Sequence, residues 1–285
     1  MITTNHHPPI RRILLALDTA THDLAAFEAA TALAAHLDAE LHALFVEDIN
    51  LLRLASLPFA RETRLISATT RRLQNPDMEH ALRAEATRAQ ATLETVATRL
   101  HVRWSFQVTR GQVAAQVRAA ALETDLVAFI FSGGAPAGLT HIAATIETLM
   151  HGAACPLLML PPGAGIRPPF VVVYDGSPAS ARALRLAAPL AQAEGQGVTV
   201  LLAAVDPSMA RRLRSEADAL LAGTAGTKVT AQYPALPRPD ATAIARAVRA
   251  ASAGTLLMAA DSPVFDGTAR RRLLEELECA ALLTR

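Results

Sequence analysis

The chain has 285 residues, 51% of them apolar and 19% charged, with a net charge of +1. This balance excludes a disordered polypeptide, and there is no basic excess of the kind an electrostatic nucleic-acid binder carries. The length accommodates two ordinary domains. Lys228 is the single lysine, so the basic side chains are almost all arginines, a bias of composition rather than a site. The opening MITTNHHPPIRR has neither the apolar core nor the cleavage site of a signal peptide. The longest uncharged span, Leu126 to Ile146, is broken by Ser132-Gly133-Gly134 and Pro136, which fits a strand and loop better than a membrane span. The expected location is the cytoplasm.

In chain order, the apolar runs predict strands at Ile13–Asp18, Leu41–Glu47, Val102–Thr109, Leu126–Phe131 and Leu157–Leu160. Helical patterns lie between them at Asp23–Leu37, through Leu100, at Val113–Leu122 and at Thr145–His151, with Asp77 as a cap for the long one. A proline- and glycine-rich linker follows, Pro161 to Pro169. Strands then recur at Val171–Tyr174, Val198–Val205, Val229–Tyr233, Thr255–Ala259 and Ala280–Leu283. Their helices are predicted at Ala179–Ala193, Pro207–Leu221, Thr242–Ala251 and Ala269–Leu277. Such alternation, with fully apolar strands, predicts a parallel sheet covered on both faces.

The two halves repeat one another. With Asp18 laid over Asp175, Phe27, Ala30, Leu33 and Ala34 fall on Leu184, Ala187, Leu190 and Ala191, one buried helix stripe seen twice. Cys155 and Cys279 also correspond, each just before a final apolar run, which places them badly for bonding each other. The expected domains are residues 1–163 and 168–285. The first carries a long helical insert, 49–100, whose Leu51–Phe59 stretch is a candidate partner surface or lid.

The strand ending in Asp175-Gly176-Ser177 before Ala179-Ser180 resembles the opening of universal stress proteins, and Cys155-Pro156 before Leu157-Leu158-Met159-Leu160 resembles their closing strand. Two copies in order resemble the tandem members of that family. The resemblance implies an α/β fold of two tandem five-stranded parallel sheets in the order 3-2-1-4-5, helices on both faces, similar to the adenine-nucleotide α-hydrolase fold. It also implies final strands that pair across a pseudo-two-fold axis, so that one chain forms a pseudo-dimer; association of two chains into a homodimer stays open.

In such a sheet the ligand crevice lies beyond strands one and four, where winding reverses. The resemblance implies candidate nucleotide contacts at Asp18, Val46, Gly133 and Gly134 in the first half. In the second it implies Asp175, Gly176, Ser177, Val205, Gly267, Thr268 and Arg270. Family members that hold ATP have a glycine loop after strand four ending in Gly-Ser/Thr, suited to phosphates at a helix N-terminus. The first half has Ala143-Ala144 at that last position; the second keeps Gly267-Thr268 but has Ala260-Asp261-Ser262-Pro263 where glycines are expected. Asp261 near phosphates is a like-charge contact costing on the order of 1–4 kcal/mol. Arg270-Arg271-Arg272 opens a helix whose dipole disfavours cations by roughly 0.3–1 kcal/mol each. The arginines either pair with Glu275 and Glu276 one turn on or hold a bound anion.

No catalytic constellation emerges. Ser177 reads as a helix cap rather than a nucleophile, and the histidines lack ligand spacing, so no metal is expected. The sequence predicts a non-enzymatic regulatory binding module, tandem universal-stress-like, with a degenerate pocket. Any remaining ATP or anion site is expected in the second half, without protein partner, nucleic acid or membrane assigned. The alternatives are an ATP-hydrolysing or adenylating enzyme of the same architecture and an adaptor using residues 51–59.

Overall fold

The computed structural model describes residues 10–17, 24–57, 61–64, 69–72, 75–130, 155–161, 163–223, 229–234, 236, 240–262 and 278–285. The first half runs β1 (Arg12–Leu17), α1 (Leu24–His36), β2 (Glu40–Asp48), α2 (Ile49–Ala55), β3 (Arg61–Arg64), β4 (Thr69–Arg72), α3 (Asn75–Arg99), β5 (Trp104–Gly111), α4 (Val113–Ala121), β6 (Leu126–Ile130) and β7 (Leu157–Leu160). The second runs β8 (Phe170–Tyr174), α5 (Pro178–Ala193), β9 (Val198–Leu202), α6 (Pro207–Ala222), β10 (Ala231–Gln232), α7 (Ala241–Ala250), β11 (Thr255–Ala259) and β12 (Ala280–Thr284).

All main strands join one ten-stranded sheet, β10-β9-β8-β11-β12-β7-β6-β1-β2-β5. Each half contributes five strands in the order 3-2-1-4-5, parallel throughout, and the halves meet where β7 and β12 pair antiparallel, Leu158 opposite Leu282. The two five-stranded sheets expected are the two halves of one continuous sheet, joined by the pairing of final strands that the resemblance implied. The reason is the edge: β7 and β12 are entirely buried, and an apolar edge strand with unpaired N–H and C=O groups is stabilised by pairing. Strand direction reverses at this seam, so the C-terminal strand ends of the two halves point to opposite edges of the molecule.

The helices divide into two layers. Phe27, Ala30 and Leu33 of α1, Leu93 of α3, Leu184 and Ala187 of α5 and Leu213 of α6 share one core cluster. Val117 of α4 and Ile244 and Val248 of α7 cover the other face. The α1 stripe matched by sequence to α5 therefore lies in the same layer, continuous across the seam. The linker is seated as well: Thr255 accepts from Arg167 N at 2.9 Å, and a Cβ on Gly254 would lie 2.3 Å from the Arg167 carbonyl oxygen.

Several boundaries differ from expectation. The insert is not wholly helical, because β3 and β4 form a separate antiparallel hairpin between α2 and α3, carrying β-branched threonines at 63, 69 and 70. Helix α3 starts at Asn75, so Asp77 lies in its first turn, favourable to the dipole, rather than at the cap. β9 ends at Leu202, short of Val205, because the chain turns there to reach the Asp206-Pro207 helix start. β10 has two residues where five are predicted; Pro234, Pro237 and Pro239 follow closely and cannot donate to a ladder. The helices predicted at Thr145–His151 and Ala269–Leu277 lie outside the described residues.

Candidate functional site

The site is built where β8 runs out. An all-buried strand, Phe170 to Tyr174, delivers Asp175 to the C-terminal edge of the sheet beside β11. Gly176 follows with φ +82°, and a Cβ there would sit 2.8 Å from Leu213 Cδ2, so glycine is demanded by both backbone and packing. Ser177 then caps α5, its Oγ accepting from Ser180 N at 3.1 Å, as the sequence predicted, and Pro178 sits in the first turn.

The Asp175 carboxylate accepts from Ser177 N at 2.9 Å through Oδ1 and from Ser262 Oγ at 2.6 Å through Oδ2. Ser262, 3% exposed, belongs to the loop after β11. One carboxylate thereby bridges the first and fourth strands of the half at the point where ligands bind in such sheets. Burial pushes this carboxyl upward, but the hydrogen bonds from Ser177, Ser262 and Ser180 outweigh it and hold it below the ordinary aspartate range. Asp261, the residue sequence reasoning placed in conflict with phosphates, is exposed, and its neighbour Ser262 makes the contact.

Three residues beyond the end of β9, which pairs with β8, Val205 is 79% exposed. It precedes Asp206, whose Oδ1 accepts from Ser208 N and Met209 N, both at 2.8 Å, and so starts α6. Behind the clamp Tyr174 is buried; burial, followed by the charge and hydrogen bond of Glu216, pushes its hydroxyl up to about 12. The structure therefore brings Asp175, Gly176, Ser177 and Val205 to one strand-end region. Gly267, Thr268 and Arg270, the expected phosphate end, lie outside the described residues.

In the first half, Asp18, Gly133 and Gly134 also lie outside the described residues. Val46 is 2% exposed inside β2. Next to it Glu47, 7% exposed, pairs with Arg110 at 2.8 Å, and Arg110 reaches Glu79 of α3 at 3.2 Å. Asp48 accepts from Asn50 N and starts α2. This end of the first half is tied together by its own ions, a network the sequence did not reveal because its members come from β2, α3 and β5.

Cys155 and Cys279 are buried free thiols, and desolvation pushes both up, away from reactivity. Among the described residues no cluster of metal-ligating side chains occurs, and no helix is long and apolar enough to cross a membrane.

No protein-family model and no curated protein matches the sequence. Solved structures do match. A universal stress protein from Archaeoglobus fulgidus superposes with a TM-score of 0.63 at 15% identity, covering 95% of both chains. A functionally unknown protein from Pseudomonas aeruginosa gives 0.56 at 16% identity, over 96% of this chain and 92% of that one. The cytoplasmic domain of a prokaryotic cation chloride cotransporter gives 0.51 at 12% identity, over 96% and 95%. The match to a universal stress protein runs through both halves, so the fold of this chain is the tandem universal stress protein fold.

Proposed function

We propose that the chain is a non-enzymatic binding module that takes an adenine nucleotide weakly in its second half, at the strand ends around Asp175. The observation that supports this is the Asp175 clamp: a charged carboxylate at the winding switch point, backed by serines and flanked by an exposed Val205 on which a base can lie. The clamp also accounts for weakness. Asp175 is already satisfied by Ser177 and Ser262, so a ligand must compete with bonds the protein makes to itself. Dissociation constants on the order of 0.1–1 mM are expected. Ala143-Ala144, standing where the Gly-Ser/Thr pair is expected, supports confining this activity to the second half.

Calorimetric titration of the full chain with ATP, alongside a phosphate-release assay, tests the reading. Saturable heat without phosphate or pyrophosphate release is expected; sustained release requires the enzymatic alternative. An adaptor role has one observation in its favour, the exposure of Leu54 (50%) and Leu57 (37%) on and just after α2. A Leu54→Ser, Leu57→Ser variant that loses a concentration-dependent increase in light-scattering mass would support that second reading.

A further inference from the structure

Away from the strand ends, β2 and β5 form the floor of a groove of about 470 Å³ roofed by α4. Sheets covered by helices on both faces are ordinarily apolar on both. Here the outer strand is two-faced: Trp104 and Phe106 pack against the α1–α3 layer, while Ser105, Gln107 and Thr109 line the groove with His42 of β2. Ala119 and Ala120 of α4 stand opposite, and their small size leaves the space.

The polar groups are arranged as mixed donors and acceptors. His42 Nδ1 lies 2.9 Å from Ser105 Oγ, and Thr109 donates to Gln116 Oε1 at 3.3 Å. The second ring nitrogen of His42 and the Gln107 amide have no hydrogen-bond partner among the described residues and are available to a ligand. Charge argues against an anion: Arg12 is 3.9 Å from Glu40, and Glu123 adds a further carboxylate to the lining. The second half has a groove of about 1060 Å³ in the corresponding place, under α7, with Thr199, Thr230 and Gln232 on its strand side. The duplication has therefore kept a polar groove beneath the same helix twice.

We propose that the groove under α4 is a second small-molecule site, separate from the Asp175 crevice, for a neutral, hydroxyl-rich ligand the size of a one- or two-ring sugar. Its volume lies within the range of ligand pockets. Alternating hydroxyl, amide and imidazole groups match the donor-and-acceptor character of sugar hydroxyls, and a site built this way discriminates strongly for them. Leu44 lies at the base of the groove.

The test is saturation-transfer NMR on the full chain with maltose, glucose and ATP as probes. Maltose or glucose is expected to give a saturable signal that ATP does not displace and that Asp175→Ala leaves unchanged. A Ser105→Val, Gln107→Val variant is expected to weaken that binding at least tenfold while its Tm stays equal or rises, since valine suits a strand better. Should that variant fold poorly, Ala119→Leu, which fills the groove from the helix side, is expected to abolish the signal. Absence of a saturable signal from both sugars, equal binding in the variants, or displacement by ATP would overturn the proposal.

Discussion

Asp175 holds the second half's strand ends together through two donors from different loops, and its protonation state is therefore a stability matter. Its carboxyl lies below the ordinary aspartate range in the folded chain. It therefore contributes stability that is present above the unfolded value, ~4, and is lost as pH falls through the lower folded value. Ser262→Ala removes one charge-assisted bond and is expected to cost about 1.5–3 kcal/mol near neutrality. In urea titrations the gap between Ser262→Ala and the parent chain should narrow as pH falls from ~4 through the lower folded value, below which the carboxyl no longer accepts as an anion. Tyr174 behaves in the opposite sense. Its folded value is raised to about 12, so its contribution is intact below the unfolded value, ~10, and is lost as pH climbs through the folded one. Phenolate absorbance should show this tyrosine ionising only in strong alkali, and Glu216→Gln should bring it to lower pH.

At the level of elements, helix starts explain how the crevice is shaped. Ser177, Asp206 and Asp240 each accept backbone N–H groups from the first turn of α5, α6 and α7. Ser177→Ala should lower stability by about 0.5–2 kcal/mol, read from the urea midpoint. Gly176→Ala should cost more than that, because φ +82° and the Leu213 contact penalise it together. Val205→Asp, on an exposed position, should leave stability within about 0.5 kcal/mol yet weaken nucleotide binding. The elements were legible where periodicity was long and caps were local: α1, α5 and the five strands of each half follow from spacing and from Asp-Gly-Ser. The β3–β4 hairpin was not legible, since Arg61–Arg64 and Thr69–Arg72 show no apolar alternation. Nor was the clamp, because Ser262 and Asp175 stand 87 residues apart.

On the scale of the whole molecule, the antiparallel β7–β12 seam joins two copies into one sheet, and the α1–α3 and α5–α6 layers share one core. Shared burial of this kind couples the halves, so calorimetric unfolding should be a single transition with matching calorimetric and van't Hoff enthalpies. Two resolved transitions would show that the halves unfold separately. Duplication was visible in the sequence through the Phe27 and Leu184 stripes and the paired cysteines. The joining of the two copies into one sheet was legible only through the resemblance, which implies pairing of the final strands, because strand-to-strand pairing between copies leaves no mark in either copy's spacing. Reversal of strand direction at the seam also sends the C-terminal strand ends of the two halves to opposite edges.

The most direct test of the account is calorimetric titration of ATP into the full chain, comparing the parent with Asp175→Ala and with Arg110→Ala. Weak saturable binding that disappears in Asp175→Ala and persists in Arg110→Ala is predicted. Binding that survives Asp175→Ala undiminished would contradict a nucleotide site in the second half.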